Sequence, residues 1–290
     1  MTDRHPPAAA DTAARAERFV ALHRSGCFVI PNSWDRGSAM LLAGLGFEAL
    51  ASSSAGHAYS RGLPDGALGR DDTLAHLRDL VDATPLPLSA DLENGFGDAP
   101  EACADALRAV AALGVVGGSI EDATGRPDDP IYAFDHAVAR VRAAVAAVRT
   151  LPHPFVLTAR AENLLWGRPD LDDTVRRLQA FAEAGADVVY APGLKTADEV
   201  ARVVKAVAPV PVNVLMGLAG SALDLPTLAS LGVRRISLGS SLARAAYAEL
   251  RRGAAAILQT GRFDHARHAP SLAQFNGAFG AGGRFPPGSP

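Results

Sequence analysis

The amino-acid sequence predicts an α/β protein folded as one (β/α)₈ barrel, the TIM barrel. Eight short apolar segments alternate along the chain with stretches whose apolar residues recur at helical spacing. The short segments are continuous apolar runs, as strands that are buried on both faces of a parallel sheet require. Strands that alternate with helices over a length of about 250 residues are typical of this architecture.

The first half of the chain carries four of the eight predicted strands. Gly46 and Gly114 end helices, as a glycine after the last helical turn commonly does. A long loop, 55–69, separates the second strand from the helix that follows it. In order, the predicted elements are helix 12–24, strand 27–31, helix 38–45, strand 49–54, helix 70–83, strand 86–93, helix 99–113 and strand 115–121.

The second half repeats the same unit after an Asp- and Pro-rich loop, 122–130. Gly185 and Gly232 again end helices. The predicted elements are helix 133–149, strand 155–160, helix 172–184, strand 187–191, helix 196–207, strand 210–215, helix 225–231, strand 235–238 and helix 240–258. An open, doubly wound sheet is the alternative, but it usually has fewer strands, and no G-x-G-x-x-G follows the first strand.

We expect a single domain, because a chain of 290 residues is long enough for one barrel of this kind. The predicted barrel domain covers residues 1–260 and begins with a loose N-terminal tail in residues 1–11. Residues 261–290 are rich in Gly, Pro and Ala, with isolated Phe, and we expect them to form an irregular tail.

The composition excludes several classes of protein. A formal net charge of −3, with 20% charged residues, gives no field that would attract nucleic acid or an anionic membrane. No apolar run reaches the roughly 18 residues that span a bilayer, and the N-terminus lacks a signal-peptide pattern. Two cysteines, Cys27 and Cys103, are too few for a disulfide scaffold or a zinc cluster. We therefore expect a cytoplasmic protein without nucleic-acid or membrane partners.

The predicted third strand ends in two carboxylates, Asp91 and Glu93. Alternate side chains of a strand point to the same face, so both carboxylates would share one face. Because oxygen ligands suit Mg²⁺ or Mn²⁺, one interpretation is a site for such a cation. The other is a solvated strand end that caps the next helix, and this segment by itself leaves both open.

Polar residues end other predicted strands too. The carboxyl ends of barrel strands meet at one mouth, where functional residues of this fold lie. Glu121 and Arg160 end apolar strands, where an unpaired charge would be costly if buried. We infer that several carboxylates and one arginine meet there around a metal and an anionic ligand. The other polar residues at strand ends are Asn32, Ser33, Trp34, Asp35, Ser52, Ser53, Ser54, Ser119, Thr158 and Asn213.

Several residues near the predicted mouth have two interpretations. Tyr59 and His57, after the second strand, are candidates for proton transfer, and packing of the loop is the alternative. Asp65 either lies beside the metal or forms a Pro-Asp-Gly turn. Trp34 is either a wall of the pocket or part of the core, and Asn213 is a candidate substrate ligand.

Eight segments carry a family resemblance: Pro-Asn-Ser-Trp-Asp-Arg-Gly-Ser38, Ser-Ser-Ser-Ala-Gly56, Arg-Gly-Leu-Pro-Asp-Gly66, Ala-Asp-Leu-Glu-Asn-Gly-Phe-Gly97, Ser-Ile-Glu-Asp122, Thr-Ala-Arg160, Ala-Gly-Ala-Asp187 and Pro-Val-Asn-Val214. With these segments the chain resembles the isocitrate lyase / phosphoenolpyruvate mutase superfamily. The segments run in family order over most of the chain. They are specific as a set, although none of them is specific alone.

The resemblance implies a barrel enzyme that uses Mg²⁺, with Mn²⁺ as the alternative, to bind a small carboxylate substrate. It implies that Asp91 ligates the metal directly and that Glu93 and Glu121 hold it largely through waters. The aspartate at the position of Asp65 lies beside the metal in the family.

For the substrate, the resemblance implies binding by Arg160 and by backbone N–H groups of the turn formed by Ser53, Ser54 and Ala55. Arginine suits a carboxylate because it donates two parallel hydrogen bonds to it. The resemblance also implies a homodimer or homotetramer in which a C-terminal helix is swapped between subunits.

Departures from the superfamily pattern bear on the activity. The lyases carry a Lys-x-Cys-Gly-His loop after the fourth strand, whose cysteine protonates the product. Residues 121–130 contain neither lysine nor cysteine, and the Lys-x-Asn-Ser segment of the phosphonate-cleaving members is absent as well. Gly193 replaces the lyase glutamate after the proline of the sixth strand. Glu93 replaces the usual second aspartate of the third strand, and its greater length predicts a shifted metal shell.

We therefore expect a Mg²⁺-dependent carbon–carbon lyase that acts on small 2-oxo or 2-hydroxy di- or tricarboxylates through an enolate. Its product would be pyruvate or a similar oxoacid, from oxaloacetate-like or methylisocitrate-like substrates. A mutase or hydrolase of P–C bonds is the first alternative. A barrel that binds an oxoacid without turnover is the second. The substrate and the proton donor stay open.

Overall fold

The computed structural model describes residues 9–217 and 221–285. The strands are β1 (Phe28–Ile30), β2 (Asn32–Ser33), β3 (Leu50–Ser52), β4 (Leu88–Asp91), β5 (Gly117–Glu121), β6 (Val156–Arg160), β7 (Val188–Tyr190), β8 (Val212–Leu215) and β9 (Arg235–Ser237). The helices are α1 (Ala9–Leu22), α2 (Arg36–Gly44), α3 (Ser54–Ser60), α4 (Arg70–Val81), α5 (Pro100–Ala111), α6 (Phe134–Val148), α7 (Leu171–Glu183), α8 (Ala197–Val207), α9 (Leu225–Ser230), α10 (Ser241–Thr260) and α11 (Leu272–Gly280).

The strands form one parallel sheet in the order β1-β9-β8-β7-β6-β5-β4-β3-β2. β1 pairs with β9 and β2 pairs with β3, so one extended segment joins both edges of the sheet. Pro31 divides this segment, because proline has no N–H to donate to a neighbouring strand. Its carbonyl oxygen still accepts a hydrogen bond from the Ala51 N–H at 2.9 Å. The sheet is therefore a nearly closed barrel, and the predicted TIM-barrel class is confirmed.

Helix α1 covers the end of the barrel at which the strands begin. Phe19 of α1 is fully buried, in a cluster with Val116, Val156 and Val188, which lie just before or at the starts of β5, β6 and β7. Burying one such phenylalanine contributes about 1.5–3 kcal/mol. Because α1 closes this end, the opposite end, where the strands finish, is the open mouth of the barrel.

The structure corrects two predicted irregular segments. The loop predicted at 55–69 begins with a short helix, α3, whose N-cap Ser53 accepts a hydrogen bond from the Gly56 N–H. The tail predicted to be irregular after residue 260 contains α11, which begins with a capping box formed by Ser271 and Gln274. This Ser-x-x-Gln pattern is visible in the sequence and was the missed signal. The N-terminal tail was predicted at residues 1–11. Its last three residues belong to α1, and residues 1–8 lie outside the part of the chain that the structure describes.

Helix α10 is 20 residues long and exposed along most of its length. Leu250 is 66% exposed and Leu258 is 87% exposed, and both lie on the same face of the helix as Tyr247. Helix α11, in contrast, packs on α2 of the same chain, where Phe279 lies against Gly37. No described helix combines the length and the apolar character that are needed to cross a bilayer.

We predict that Gly117→Ala destabilises the barrel through a clash with the helix that closes it. A Cβ atom at this position would lie 2.5 Å from the Phe19 ring. Overpacking of this kind lowers the free energy of unfolding by about 1–3 kcal/mol, which urea denaturation can measure.

Two comparisons test this cause. Phe19→Leu should lower the free energy of unfolding less in the Gly117→Ala background than in the wild type, because the shorter side chain relieves the overlap. Gly277→Ala, where a Cβ meets open space, is the matched control and should leave stability equal or raise it by up to about 1 kcal/mol. Equal costs of Phe19→Leu in both backgrounds would contradict the explanation.

Candidate active site

The register of the sheet brings the predicted charged residues together at the open mouth. Asp91 is the last residue of β4 and lies opposite Ser119 of β5. Glu121, the last residue of β5, lies opposite Arg160, the last residue of β6. Parallel strands in register carry their final side chains to the same level. The two predicted carboxylates and the predicted arginine are thus neighbours because their strands end together.

Arg160 contacts three carboxylates at once. Its Nη1 donates to Asp91 Oδ1 at 2.8 Å, and its Nη2 lies 3.1 Å from Glu121 Oε2 and 2.8 Å from Glu162 Oε1. The guanidinium also stacks over the ring of Tyr190, 5.0 Å from its centroid. Burial opposes the charge of Arg160, but Glu162, Glu121 and Asp91 raise its pKa well above the ordinary value. Arg160 is therefore the positive centre of the site.

Both carboxylate oxygens of Asp91 accept hydrogen bonds. Oδ1 accepts from Arg160 and, at 3.5 Å, from the Ser119 hydroxyl. Oδ2 accepts from the backbone N–H and the hydroxyl of Ser54 at 3.2 and 3.1 Å. The Asp91 N–H donates to the Ser52 hydroxyl at 2.8 Å. The carboxylate is thus oriented by groups from three neighbouring segments, and Ser52 holds the backbone of the same residue.

Glu93 does not share a strand face with Asp91, and this part of the sequence prediction was wrong. Strand β4 ends at Asp91, and Glu93 follows in a left-handed backbone conformation with φ of 49°. The alternation of strand side chains does not extend past the last strand residue. Glu93 still lies close to the other acids: burial first, then the charges of Asp91 and Asp65, raise its pKa to about 7.

The carboxylates at the mouth outnumber the cations. Burial raises the pKa of Glu121 and of Glu162, although Arg160 acts in the opposite direction on both. Asp65 is exposed to solvent, but the protein around it removes part of its hydration, and this effect and the charge of Asp91 raise its pKa as well. Three carboxylates thus contact the Arg160 guanidinium, and Glu93 and Asp65 add to the negative charge near Asp91, which a divalent cation would compensate.

The donor set suits a cation held mostly through water rather than by a closed cage of side chains. Within residues 9–217 and 221–285, no three Asp, Glu, His or Cys side chains converge as a complete ligand set. The carboxylates around Arg160 supply hard oxygen donors, and Mg²⁺ usually keeps several waters. The residues therefore fit Mg²⁺ with few direct protein ligands.

Glu162 is the main site residue that the sequence analysis missed. Its backbone N–H donates to Asp122 Oδ1 at 2.8 Å, and Asp122 is itself paired with buried Arg177 at 3.0 Å. This buried ion pair fixes the backbone of the segment that follows β6. The available signal was a carboxylate two residues after Arg160, just past the end of an apolar strand.

A cavity of about 200 Å³ lies above the strand ends. Its lining includes the predicted substrate-binding residues Ser53, Ser54, Ala55, Arg160 and Asn213, together with Asp65 and Asp91. The N–H of Ser54 is engaged by Asp91, and the hydroxyl of Ser53 accepts from the Gly56 N–H at 3.1 Å. The structure therefore places the predicted turn against the cavity, while some of its polar groups already have partners.

Asn213 lies deep in the same cavity, and both ends of its amide have partners. Its Nδ2 donates to Ser237 Oγ and its Oδ1 accepts from Arg235 Nε, each at 2.9 Å. Arg235 also donates to Thr158 Oγ1 at 2.8 Å, and burial lowers its pKa to about 10. Arg235 was not predicted, and it fixes the orientation of the Asn213 amide.

Tyr59 and Trp34, both predicted near the substrate, do not line the described cavities at the mouth. Tyr59 lies near the end of α3 and is 36% exposed. Trp34 lies behind α3, where a Cβ on Gly56 would come within 2.9 Å of it. His57 is buried and stacks on His76 with ring centroids 3.8 Å apart. These side chains support or flank α3 rather than face Arg160.

The loop after β5 folds back on itself. Ala123 pairs with Ile131, and the Thr124 N–H donates to the Pro130 carbonyl at 2.8 Å. Arg126 leaves the mouth and forms an ion pair with Asp98 at 2.9 Å. This loop therefore contributes no acid to the cavity above the strand ends.

Comparisons with known proteins agree with this geometry. A family model described as phosphoenolpyruvate phosphomutase matches residues 19–258. A 2-methylisocitrate lyase of Salmonella typhimurium is 35% identical over 178 residues, which are 59% of each chain.

Two solved structures share the whole fold. A Burkholderia cenocepacia protein named as a lyase or mutase is 55% identical and has a TM-score of 0.91, over 93% of this chain and 97% of that chain. Oxaloacetate acetylhydrolase in complex with its product oxalate is 25% identical and has a TM-score of 0.83, over 96% of both chains. Since the family model spans most of the sequence, the chain belongs to the phosphoenolpyruvate mutase family, within the phosphoenolpyruvate mutase / isocitrate lyase superfamily of lyases and mutases.

Proposed function

We propose that the protein is a Mg²⁺-dependent carbon–carbon lyase that acts on a small 2-oxo or 2-hydroxy di- or tricarboxylate and releases pyruvate or a similar oxoacid. The observation that carries this proposal is the contact of Arg160 with Asp91, Glu121 and Glu162, since Arg160 and Asp91 also line a cavity of a size that fits a small oxoacid. Such a cluster of opposite charges suits a reaction in which negative charge develops on an oxygen atom.

Asp91 would hold the metal directly, and Glu93 and Glu121 would hold it through water. This division suits the described residues, because no three of them form a direct ligand cluster. Bound there, Mg²⁺ supplies a Lewis acid for the oxygen of the developing enolate.

The chain's own residues would orient the substrate and stabilise its charge. Arg160 would pair with a substrate carboxylate. Its present partners Asp91 and Glu121 would then also hold the metal, which would free part of the guanidinium for the substrate. Ser53 and Ala55 line the same cavity, and backbone N–H groups of their turn would donate to the enolate oxygen. When the C–C bond breaks, its electron pair enters the enolate, and the enolate carbon takes up one proton. The other fragment leaves as CO₂ or, from a hydroxy substrate, as a carbonyl compound whose hydroxyl proton passes to a carboxylate of the site.

We also propose that the protein is a homodimer or homotetramer in which α10 contacts another subunit. Leu250 and Leu258 form an apolar face on α10 that this chain leaves exposed. Exposed apolar residues that form a continuous face commonly mark subunit contacts. Sedimentation equilibrium of the purified protein would test this assembly.

We predict that the protein releases a 2-oxoacid from at least one member of a panel of oxaloacetate-like and methylisocitrate-like acids, and only with Mg²⁺ or Mn²⁺. Asp91→Asn should lower kcat/KM by at least about 100-fold, because the metal contributes several kcal/mol to transition-state stabilisation. NMR of the reaction mixture measures the oxoacid, and calorimetry measures the metal affinity.

Glu48→Gln is the control, because this exposed carboxylate lies where β3 begins, at the far end of the barrel. Absence of turnover with the whole panel, together with unchanged metal affinity in Asp91→Asn, would refute the proposal. Conversion of phosphonopyruvate in phosphorus NMR, without C–C cleavage, would replace it with a P–C bond activity.

A pH-dependent gain in stability is predicted for Glu93→Gln in the metal-free protein. The pKa of Glu93 is raised from 4.5 to about 7, so ionisation favours the unfolded chain as the pH rises through this interval. Glutamine removes this penalty. The variant should therefore have a free energy of unfolding about 1–3 kcal/mol higher than the wild type at pH 8. Urea titrations at pH 8 and pH 4.5 measure it, and an equal gain at both pH values would show that the charge of Glu93 is not the cause.

A further inference from the structure

A second and larger cavity, of about 870 Å³, lies on the other side of the carboxylate cluster. Ser54, Asp65, Arg160 and Leu165 line both cavities, so the two spaces meet at the reacting centre. Pyruvate or another small oxoacid fits the smaller cavity. The larger one therefore provides space that the proposed oxoacid product does not use.

Four large apolar side chains contribute to the lining of the larger cavity, and we call them its apolar wall. They are Leu68, Phe96, Leu165 and Trp166. Leu165 is 48% exposed and Trp166 is 38% exposed, although both are large apolar side chains. Exposed apolar residues that line a concave surface indicate a ligand with an apolar part.

The segment that presents Leu165 and Trp166 is held in place by the structure. Their N–H groups donate to the Glu162 carbonyl at 2.9 and 3.3 Å. Buried Asn163 donates through Nδ2 to the carbonyls of Arg168 and Asp170 at 3.1 and 3.0 Å. These bonds close the loop after β6 into a compact turn. The exposure of its apolar side chains is thus built into the fold.

Phe96 is placed at the wall by an unfavourable backbone conformation. Its φ is 64°, a left-handed value that bulky side chains rarely adopt. The Phe96 N–H donates to Asn94 Oδ1 at 3.0 Å, and buried Arg140 donates to the carbonyl of Gly97 at 2.7 Å and to that of Asn94. Strained residues that are held by their surroundings cluster at ligand sites.

The charges around the larger cavity disfavour a second anionic group. Asp65, Glu93, Glu121 and Glu162 line it, whereas Arg160 and Arg70 are its lining arginines. The charge of Arg160 is already matched by three carboxylates. In the metal-free protein a carboxylate of the substrate in this space would meet mainly like charge, and bound Mg²⁺ would offset part of that charge.

The loop after β5 leaves the larger cavity open. It is tied back by the Ala123–Ile131 pair and by the ion pair of Arg126 with Asp98. Only its first residues, Ala123, Thr124 and Gly125, contribute to the cavity wall. The space is thus available to a substrate.

We propose that the larger cavity binds the half of the substrate that leaves, and that this half carries an extended apolar substituent, an alkyl or aryl chain. This inference rests on the proposed lyase function, and it names the substrate class of the same site. The oxoacid head occupies the smaller cavity at Arg160. The chain on its C3 atom passes the carboxylate cluster and packs on Phe96, Leu165 and Trp166.

Calorimetry of the protein with Mg²⁺ and a series of ligands tests the proposal. Oxalate probes the head site alone, because it is a planar dianion of the size of a pyruvate enolate. 2-Oxohexanoate should bind about 10-fold more tightly than 2-oxobutyrate, since each added methylene group contributes about a factor of three. 2-Oxoadipate, which has the same number of carbons but ends in a carboxylate, should bind more weakly than 2-oxohexanoate.

Trp166→Ala should reduce the advantage of the longer chain and leave the affinity for oxalate unchanged, because Trp166 lines the larger cavity and not the smaller one. Leu165→Asn should reduce the same advantage, and its oxalate affinity is measured separately, because Leu165 lines both cavities. Both side chains are largely exposed, so neither variant should impair folding. Leu45→Ala is the matched control, because Leu45 is 73% exposed and lies at the end of α2, outside the described cavities. It should change neither affinity.

The outcomes separate this inference from the proposed function. Oxalate binding with no gain from the chain, or tighter binding of 2-oxoadipate, would overturn the inference and leave the lyase proposal standing. If 2-oxohexanoate keeps its full gain in affinity over 2-oxobutyrate in both Trp166→Ala and Leu165→Asn, these two residues do not form the wall that binds the chain. Absence of Mg²⁺-dependent oxalate binding would reject both proposals.

Discussion

The ion cluster around Arg160 is the interaction on which the mouth of the barrel depends. One guanidinium contacts carboxylates from the ends of β4 and β5 and from the loop after β6. Removing one partner of a buried ion pair typically costs about 3–5 kcal/mol, because the other charges stay buried. The same three segments form the floor of the smaller cavity. The contacts that form the site therefore also hold the ends of β4 and β5 and the loop after β6 together.

The loop after β4 lines the larger cavity, and its shape requires left-handed backbone at Glu93, Gly95 and Phe96. Buried Arg140 from α6 compensates this arrangement by donating to several carbonyls of the loop. Its guanidinium also stacks on Tyr132, 4.3 Å from the ring centroid. A helix outside the barrel thus fixes the loop that turns Glu93 toward one cavity and Phe96 toward its wall.

The two cavities suggest how one family fold accommodates different substrates. The smaller cavity is built from strand ends, whose positions the barrel geometry fixes. The larger one is built mainly from residues 65–70 and from the loops after β4, β5 and β6, and loops can vary without disturbing the core. In this chain, the short loop after β5 leaves the larger cavity open, and the turn at Leu165 and Trp166 adds apolar side chains to its lining.

The sequence by itself determined the barrel and most of its charged mouth. Apolar runs and helical spacing act locally, so each strand was visible without knowing its neighbours, and polar residues at strand ends marked Asp91, Glu121 and Arg160. Only the tertiary structure decided what depends on contacts between distant segments. It placed Glu162 in contact with Arg160. It also showed that β4 ends before Glu93, so the alternation of strand side chains does not include this residue. Tyr59 and Trp34 lie outside the lining of the two cavities. The reason is physical: strand alternation predicts direction only within a strand, whereas loop residues take their positions from hydrogen bonds to other parts of the chain.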